Sequence, residues 1–153
     1  MKPVVVIGLG SPLMSDEGVG IHVLHALEKR FAKSVHVEFL DLGTAGARVL
    51  HAIAGRSKAV IIDCAFMDKK PGSIARFTPH DVASRKVEPR ISLHGGDLLD
   101  TIALSRAIGE APGNIVIFGI EPAEVSQGEK LSKALAARLS EYVDAVAAEI
   151  EKE

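Results

Sequence analysis

Three short runs constrain this chain more than anything else in it: Val4-Val5-Val6-Ile7, Ala59-Val60-Ile61-Ile62 and Ile115 to Ile120. Each is apolar at consecutive positions rather than alternate ones. Successive side chains of a strand point to opposite faces, so such a run must be covered on both sides. That demand is met in parallel sheets sandwiched between helices, and helical patterns do fall between the runs. Gly18 to Phe31 carries Val23, Leu24, Leu27 and Phe31 at helical spacing. Val35 to Leu40 predicts a further strand ending at Asp41, and Val49, Leu50 and Ile53 a second helix after the turn Gly43-Thr44-Ala45-Gly46. Beyond the Pro71-Gly72 turn, Ser73 to Thr78 predicts a strand, Pro79 to Pro89 a polar, basic loop, and Gly96 to Ile108 a helix. Leu131, Leu135, Leu139, Val143, Ala147 and Ile150 predict one long amphipathic helix from Glu129 to Lys152. The expectation is an α/β fold: a single three-layer domain over residues 1–153, with a largely parallel central sheet of about five strands and helices on both faces.

Charge and cysteine content narrow the function. The net charge of −2 and the lack of any lysine/arginine cluster exclude a nucleic-acid backbone as partner. The single cysteine, Cys64, cannot form an internal disulfide or a CxxC metal site. The apolar stretch after Met1-Lys2-Pro3 is too short for a secretion signal, and no segment approaches the ~20 residues that span a bilayer. The expected location is the cytoplasm, without membrane insertion.

In doubly wound sheets ligands gather at the carboxyl ends of the strands. Three such ends carry notable residues: the loop Gly8 to Gly20, Asp41, and Asp63. The loop invites comparison with the dinucleotide fingerprint GxGxxG, but Leu13 stands where the third glycine belongs. It also sets Asp16 and Glu17 where a pyrophosphate would need a helix N-terminus free of negative charge, which favours a cation instead. Ser15 and Asp16 are expected to cap the following helix, and Glu17 is equally a dipole-favoured residue and a ligand candidate. Asp63 closes a buried strand, where an uncompensated charge is costly. Asp41 is expected to take backbone hydrogen bonds from the adjoining glycine-rich turn.

Among the histidines, His22, His25 and Lys29 share a helix face expected to be solvated, and His36, His51 and His80 have similarly plain explanations. His94, in Ser92-Leu93-His94-Gly95-Gly96, lies in a loop ahead of a helix and can point into a site. Two carboxylates and an imidazole make an incomplete ligand set that suits zinc or nickel and leaves room for water or substrate. An open position on such an ion supports amide hydrolysis. A Cys64–His94 nucleophile pair is the competing chemistry; strand alternation turns Cys64 away from the face of Asp63.

Taken together, GLGSPLMSDEGVG at 8–20, DLGTAG at 41–46, VIIDCA at 60–65, ISLHGGDLL at 91–99 and VIFGIEP at 116–122 resemble the hydrogenase maturation proteases. These endopeptidases trim the C-terminus of nickel–iron hydrogenase large-subunit precursors. The resemblance implies that Glu17, Asp63 and His94 contact metal, and that the metal is nickel already inserted in the precursor and delivered by it, with no organic cofactor. It assigns Asp41 a supporting acidic position, and Asp16 joins it as a catalytic-site candidate. The family usually has asparagine where this loop has Ser11, a change outside the metal trio. The rival readings are a Rossmann-like nucleotide-binding module, a metal-independent hydrolase using Asp63 or Cys64, and a protein that binds a hydrogenase precursor without cutting it.

Overall fold

A computed structural model of the chain describes residues 1–83 and 97–152, the side chains of Ala83 and Asp97 excepted. His94 and the basic positions Arg85, Lys86 and Arg90 lie outside the described residues. Among the described residues five strands form one sheet: β1 (Val4–Gly8), β2 (Val37–Asp41), β3 (Lys58–Cys64), β4 (Ile74–Phe77) and β5 (Asn114–Ile120). Their order is β2-β1-β3-β5-β4; all neighbours are parallel except β4, which runs antiparallel to β5 at the edge. Among the described residues six α-helices cover it: α1 (Val19–Arg30), α2 (Val49–Ile53), α3 (Pro79–Ala83), α4 (Asp97–Ala107), α5 (Lys133–Ala136) and α6 (Leu139–Glu151).

The unbroken apolar runs are explained by two cores, one on each face. Val6, Val60, Ile62, Cys64, Val116 and Phe118 pack under Val23, Leu24 and Leu27 of α1 and Tyr142, Val146 and Ile150 of α6. The other parity, Val5, Ile7, Ala59, Ile61, Ile115 and Ile117, packs against Val49 and Ile53 of α2 and Leu98 and Ile102 of α4. Every residue of β3, at the centre of the sheet, is buried. No helix among the described residues is long and apolar enough to cross a membrane.

Two expectations fail locally. The segment after β4 is not wholly loop, because Thr78, Pro79 and Asp81 start α3. The Thr78 amide donates to Asp81 Oδ2 (2.9 Å) and the Asp81 amide to Thr78 Oγ1 (3.2 Å), a capping box with proline at the first helical position. The long C-terminal helix is in fact two. Ser132 donates its amide to Asp16 Oδ1 at 2.7 Å and accepts from Leu135 N at 3.4 Å, so α5 starts only after it. Arg138 then leaves the helical region (φ −108°, ψ 5°), its guanidinium forked onto Glu141 at 2.8 and 2.9 Å and lying over the Tyr142 ring. Amphipathic spacing carries through both pieces, which is why periodicity alone reads as one helix.

At the opposite end of the sheet from the strands' carboxyl termini, Lys58 and Glu149 are buried together. Lys58 Nζ donates to Glu149 Oε2 (2.8 Å) and to the Glu149 carbonyl (2.6 Å), and Arg76 Nε to Glu149 Oε1 (2.6 Å). One carboxylate thus ties β3, β4 and α6 into a unit.

Candidate functional site

Strand order decides which sequence candidates meet. The chain leaves β1 on one side to reach β2 and returns on the other side of β1 to form β3, so the crevice between β1 and β3 is a topological switch point. Gly8 pairs in register with Ile62, and the Leu9 amide donates to the Ile62 carbonyl at 3.0 Å. The loop after β1 therefore begins beside Asp63.

Glycine keeps that loop folded tightly over the strand ends. A Cβ on Gly20 would run into the carbonyl oxygens of Ile62 and Leu9, so only glycine lets the first turn of α1 rest on the backbone of β3. Gly10 has a φ of +124°, and a Cβ there would strike the Glu17 carbonyl oxygen. The one-turn 3-10 segment Ser15–Gly18, which carries Asp16 and Glu17, is pressed against β3 in consequence. Glu17 is half-buried, and Asp63 is fully buried.

Asp16 departs from the expected helix cap. Neither the 3-10 segment nor α1 has a side-chain cap. The Asp16 carboxylate instead reaches across to the loop after β5, where Oδ2 accepts the Ala123 and Glu124 amides (2.9 Å each) and Oδ1 accepts that of Ser132. Burial alone would raise its pKa, but the hydrogen bonds from Ser132, Glu124 and Ala123 outweigh it and hold the carboxyl below its ordinary range. The backbones are stitched alongside: Gly128 N donates to the Leu13 carbonyl (2.9 Å), Ser15 N to the Gly128 carbonyl (2.8 Å) and Asp16 N to the Glu124 carbonyl (3.1 Å). Ser15 takes a left-handed φ of 53° within this seam, with its hydroxyl donating to the Ser126 carbonyl at 2.8 Å. Asp41 behaves as expected of a turn residue, exposed and accepting the Gly43 amide on Oδ1 at 2.9 Å.

Glu121 was missed by the sequence reading. It follows β5 directly and is 6% exposed. Its Oε1 accepts the Met67 amide (2.7 Å) and the Lys69 amide (3.0 Å), while its backbone pairs with Gly72 and Ser73. It does for the loop after β3 what Asp16 does for the loop after β5. The strand-end rule that singles out Asp63 also singles out Glu121, so the signal was in the sequence.

The structure brings Glu17, Asp63 and Asp16 to one strand end and adds Glu121. Cys64 reports their combined field: burial pushes its thiol far above the ordinary range, and the charges of Asp63, Glu17, Asp16 and Glu121 push it further. Cys64 packs in the α1–α6 core with Val60 and Ile62, and alternation sets Asp63 on the face of Ile61. A buried thiol in a negative field is a poor nucleophile. Cys64→Ser is accordingly expected to keep its activity while losing about 1–3 kcal/mol of stability to a buried hydroxyl, as an assay well below the melting temperature would show.

Among the described residues no group of three or more His, Cys, Asp or Glu side chains is arranged to hold a metal ion. His22 is half-buried rather than solvated: its Nε2 has no hydrogen-bond partner among the described residues, and burial lowers its pKa. His25 is exposed, as expected.

Known proteins resemble this chain in sequence and in fold. The sequence profile of the HycI hydrogenase maturation protease family matches residues 21–149. The hydrogenase 2 maturation protease of Escherichia coli K12 is 31% identical over 147 residues, covering 95% of this chain and 88% of that protein. The hydrogenase expression/formation protein HupD of Thiocapsa roseopersicina is 25% identical and longer, so that the match spans 64% of it. Among solved structures, the hydrogenase maturating endopeptidase HybD from E. coli superposes with a TM-score of 0.85 at 28% identity, covering 98% of this chain and 92% of that one. The NiFe hydrogenase maturation protease HybD from Thermococcus kodakarensis follows with a TM-score of 0.78 at 26% identity, covering 99% of this chain and all of that one. A family profile spanning most of the chain, and a relative 31% identical over nearly its whole length, mean that this chain belongs to the hydrogenase maturation protease family, whose members are hydrolases of peptide bonds.

Proposed function

We propose that the chain, acting over residues 1–153 as one domain, removes a short C-terminal extension from the nickel-loaded precursor of a nickel–iron hydrogenase large subunit. The observation that carries this reading is the β1–β3 crevice, where the glycine-bound loop sets Glu17 over the strand that carries Asp63 near its end. Glu17, Asp63 and His94 are the residues that meet the nickel. The ion belongs to the substrate. An ion there supplies the electron-pair acceptor that amide hydrolysis needs. Glu17 keeps some exposed surface and Asp63 has none, so an arriving cation meets Glu17 first. Asp16 fixes the loop that carries Glu17, and Asp41 fixes the turn after β2; both act by positioning, in an aspartyl-type site without a thiol nucleophile. The cytoplasm is the compartment in which such a precursor would be met.

The test pairs metal analysis with cleavage. The purified protein should hold far less than one equivalent of nickel or zinc, because so few protein ligands suit a transient encounter better than tight retention. Nickel-loaded precursor should lose its extension, read as a mass decrease of the intact protein, and nickel-free precursor should not. Equal cleavage of both, by a protein that carries tightly bound stoichiometric metal, would establish an ordinary metallopeptidase instead.

A further inference from the structure

The carboxyl ends of the strands carry an apolar feature as well as an acidic one. Leu13, Phe66 and Val125 are 60%, 49% and 41% exposed. Isolated exposed apolar side chains need no explanation, but these three stand on the loops after β1, β3 and β5, neighbouring parallel strands whose carboxyl ends lie side by side. Their loops are joined to one another. Leu13 and Val125 lie on the two sides of the seam held by Asp16, and Phe66 lies between Ala65, whose amide donates to the Ile120 carbonyl, and Met67, whose amide donates to Glu121. Two buried carboxylates thus hold three large apolar side chains out in solvent on fixed backbone.

We propose that Leu13, Phe66 and Val125 form an apolar rim on which the protein substrate docks, so that the cation it carries is delivered to the carboxylates inside the rim. This rests on the functional reading above and adds the surface that recognises the partner. Charge complementarity selects the occupant. Asp16 and Glu17 on the loop after β1, Asp63 in β3 and Glu121 directly after β5 gather four carboxylates at this end of the sheet, and of these Glu17 keeps the most exposed surface. A surface that joins an apolar ring to an acidic centre fits a partner with a cationic centre in apolar surroundings. A dry rim also strengthens the attraction between that cation and the carboxylates, because it lowers the local dielectric.

The test replaces all three residues with serine, which removes apolar surface without altering the charge of the site. Val35→Ser is the control, since Val35 is 71% exposed on the approach to β2, at the other end of the sheet. With nickel-loaded precursor and unchanged melting temperatures, the triple variant should raise KM by about tenfold or more, leave kcat within about twofold, and Val35→Ser should match wild type. Equal KM in wild type and triple variant overturns the rim while leaving the cleavage reading intact. So does an equal rise in KM for Val35→Ser, or a loss of self-association by the triple variant with KM unchanged, which would mark a contact between copies of this chain. A wild-type protein that neither binds nor cuts nickel-loaded precursor overturns both.

Discussion

Asp63→Asn should abolish precursor processing while the protein stays folded. The substitution keeps the shape of the side chain and removes the charge that a metal-bearing substrate has to find. Losing an outer-shell partner of a metal site costs about 10–100-fold in affinity or activity, so losing a direct contact should cost at least that much. Stability should move little, because asparagine fills the same volume at the end of the sheet and keeps one oxygen that accepts hydrogen bonds. A change within about 1 kcal/mol corresponds to a melting shift within about 2–4 °C for a chain of this size. Glu17→Gln and His94→Ala should behave in the same way. The check is intact-mass analysis of nickel-loaded precursor beside a melting curve; full processing by a folded Asp63→Asn protein removes that residue from the site.

The largest effect on stability should come from the far end of the sheet. Glu149 is 3% exposed, and Lys58 and Arg76 hold its carboxyl down to about 2 against the desolvation that would raise it. Glu149→Gln leaves Lys58 buried without its counter-charge, a loss of about 3–5 kcal/mol. At about 2–4 °C per kcal/mol, the melting temperature should fall by roughly 6–20 °C. Joint replacement by Lys58→Met and Glu149→Leu should recover much of this, since a well-packed apolar pair often equals a buried ion pair. The sign of the pH dependence follows from the depressed value. The contribution of Glu149 is complete above its ordinary pKa of 4.5 and is lost as pH falls from there through about 2. Urea titrations from pH 6 to pH 2.5 should show wild-type stability declining over that interval, with the Glu149→Gln protein losing less across the same range. Parallel curves for the two proteins would mean that other carboxylates carry the acid sensitivity.

These two residues also mark what could be read from the sequence. Asp63 was legible because it interrupts a continuous apolar run at a strand end, a local pattern with a topological meaning. Glu149 and Lys58 were not, because they stand 91 positions apart and each looks like an ordinary surface charge at its own address. The strands were legible for the same reason as Asp63, since β-branched runs apolar at both parities admit few other readings. The start of α3 was hidden by Pro79, which marks a turn and a first helical position equally well until Thr78 and Asp81 are read with it. The break ahead of α6 has no local signal of its own. Ser132 is pinned by a carboxylate 116 positions earlier, and helical periodicity cannot register a partner that distant. The candidate site was legible as a set of carboxylates at strand ends, whereas the division of labour among Asp16, Glu17 and Glu121 was not, because it depends on which amides each one faces.

The seam around Asp16 also sets a schedule. Its carboxylate bonds to amides 107, 108 and 116 residues downstream. A chain synthesised at about 5–20 residues per second completes that interval in roughly 5–25 s. For that time the nascent N-terminal segment carries Glu17 on a loop whose anchoring amides do not yet exist. The acidic site therefore assembles last, once the strand that carries Asp63 and the loop after β5 are both available. A chain interrupted before Ser132 would own every residue of the first loop and lack the order that makes it a site.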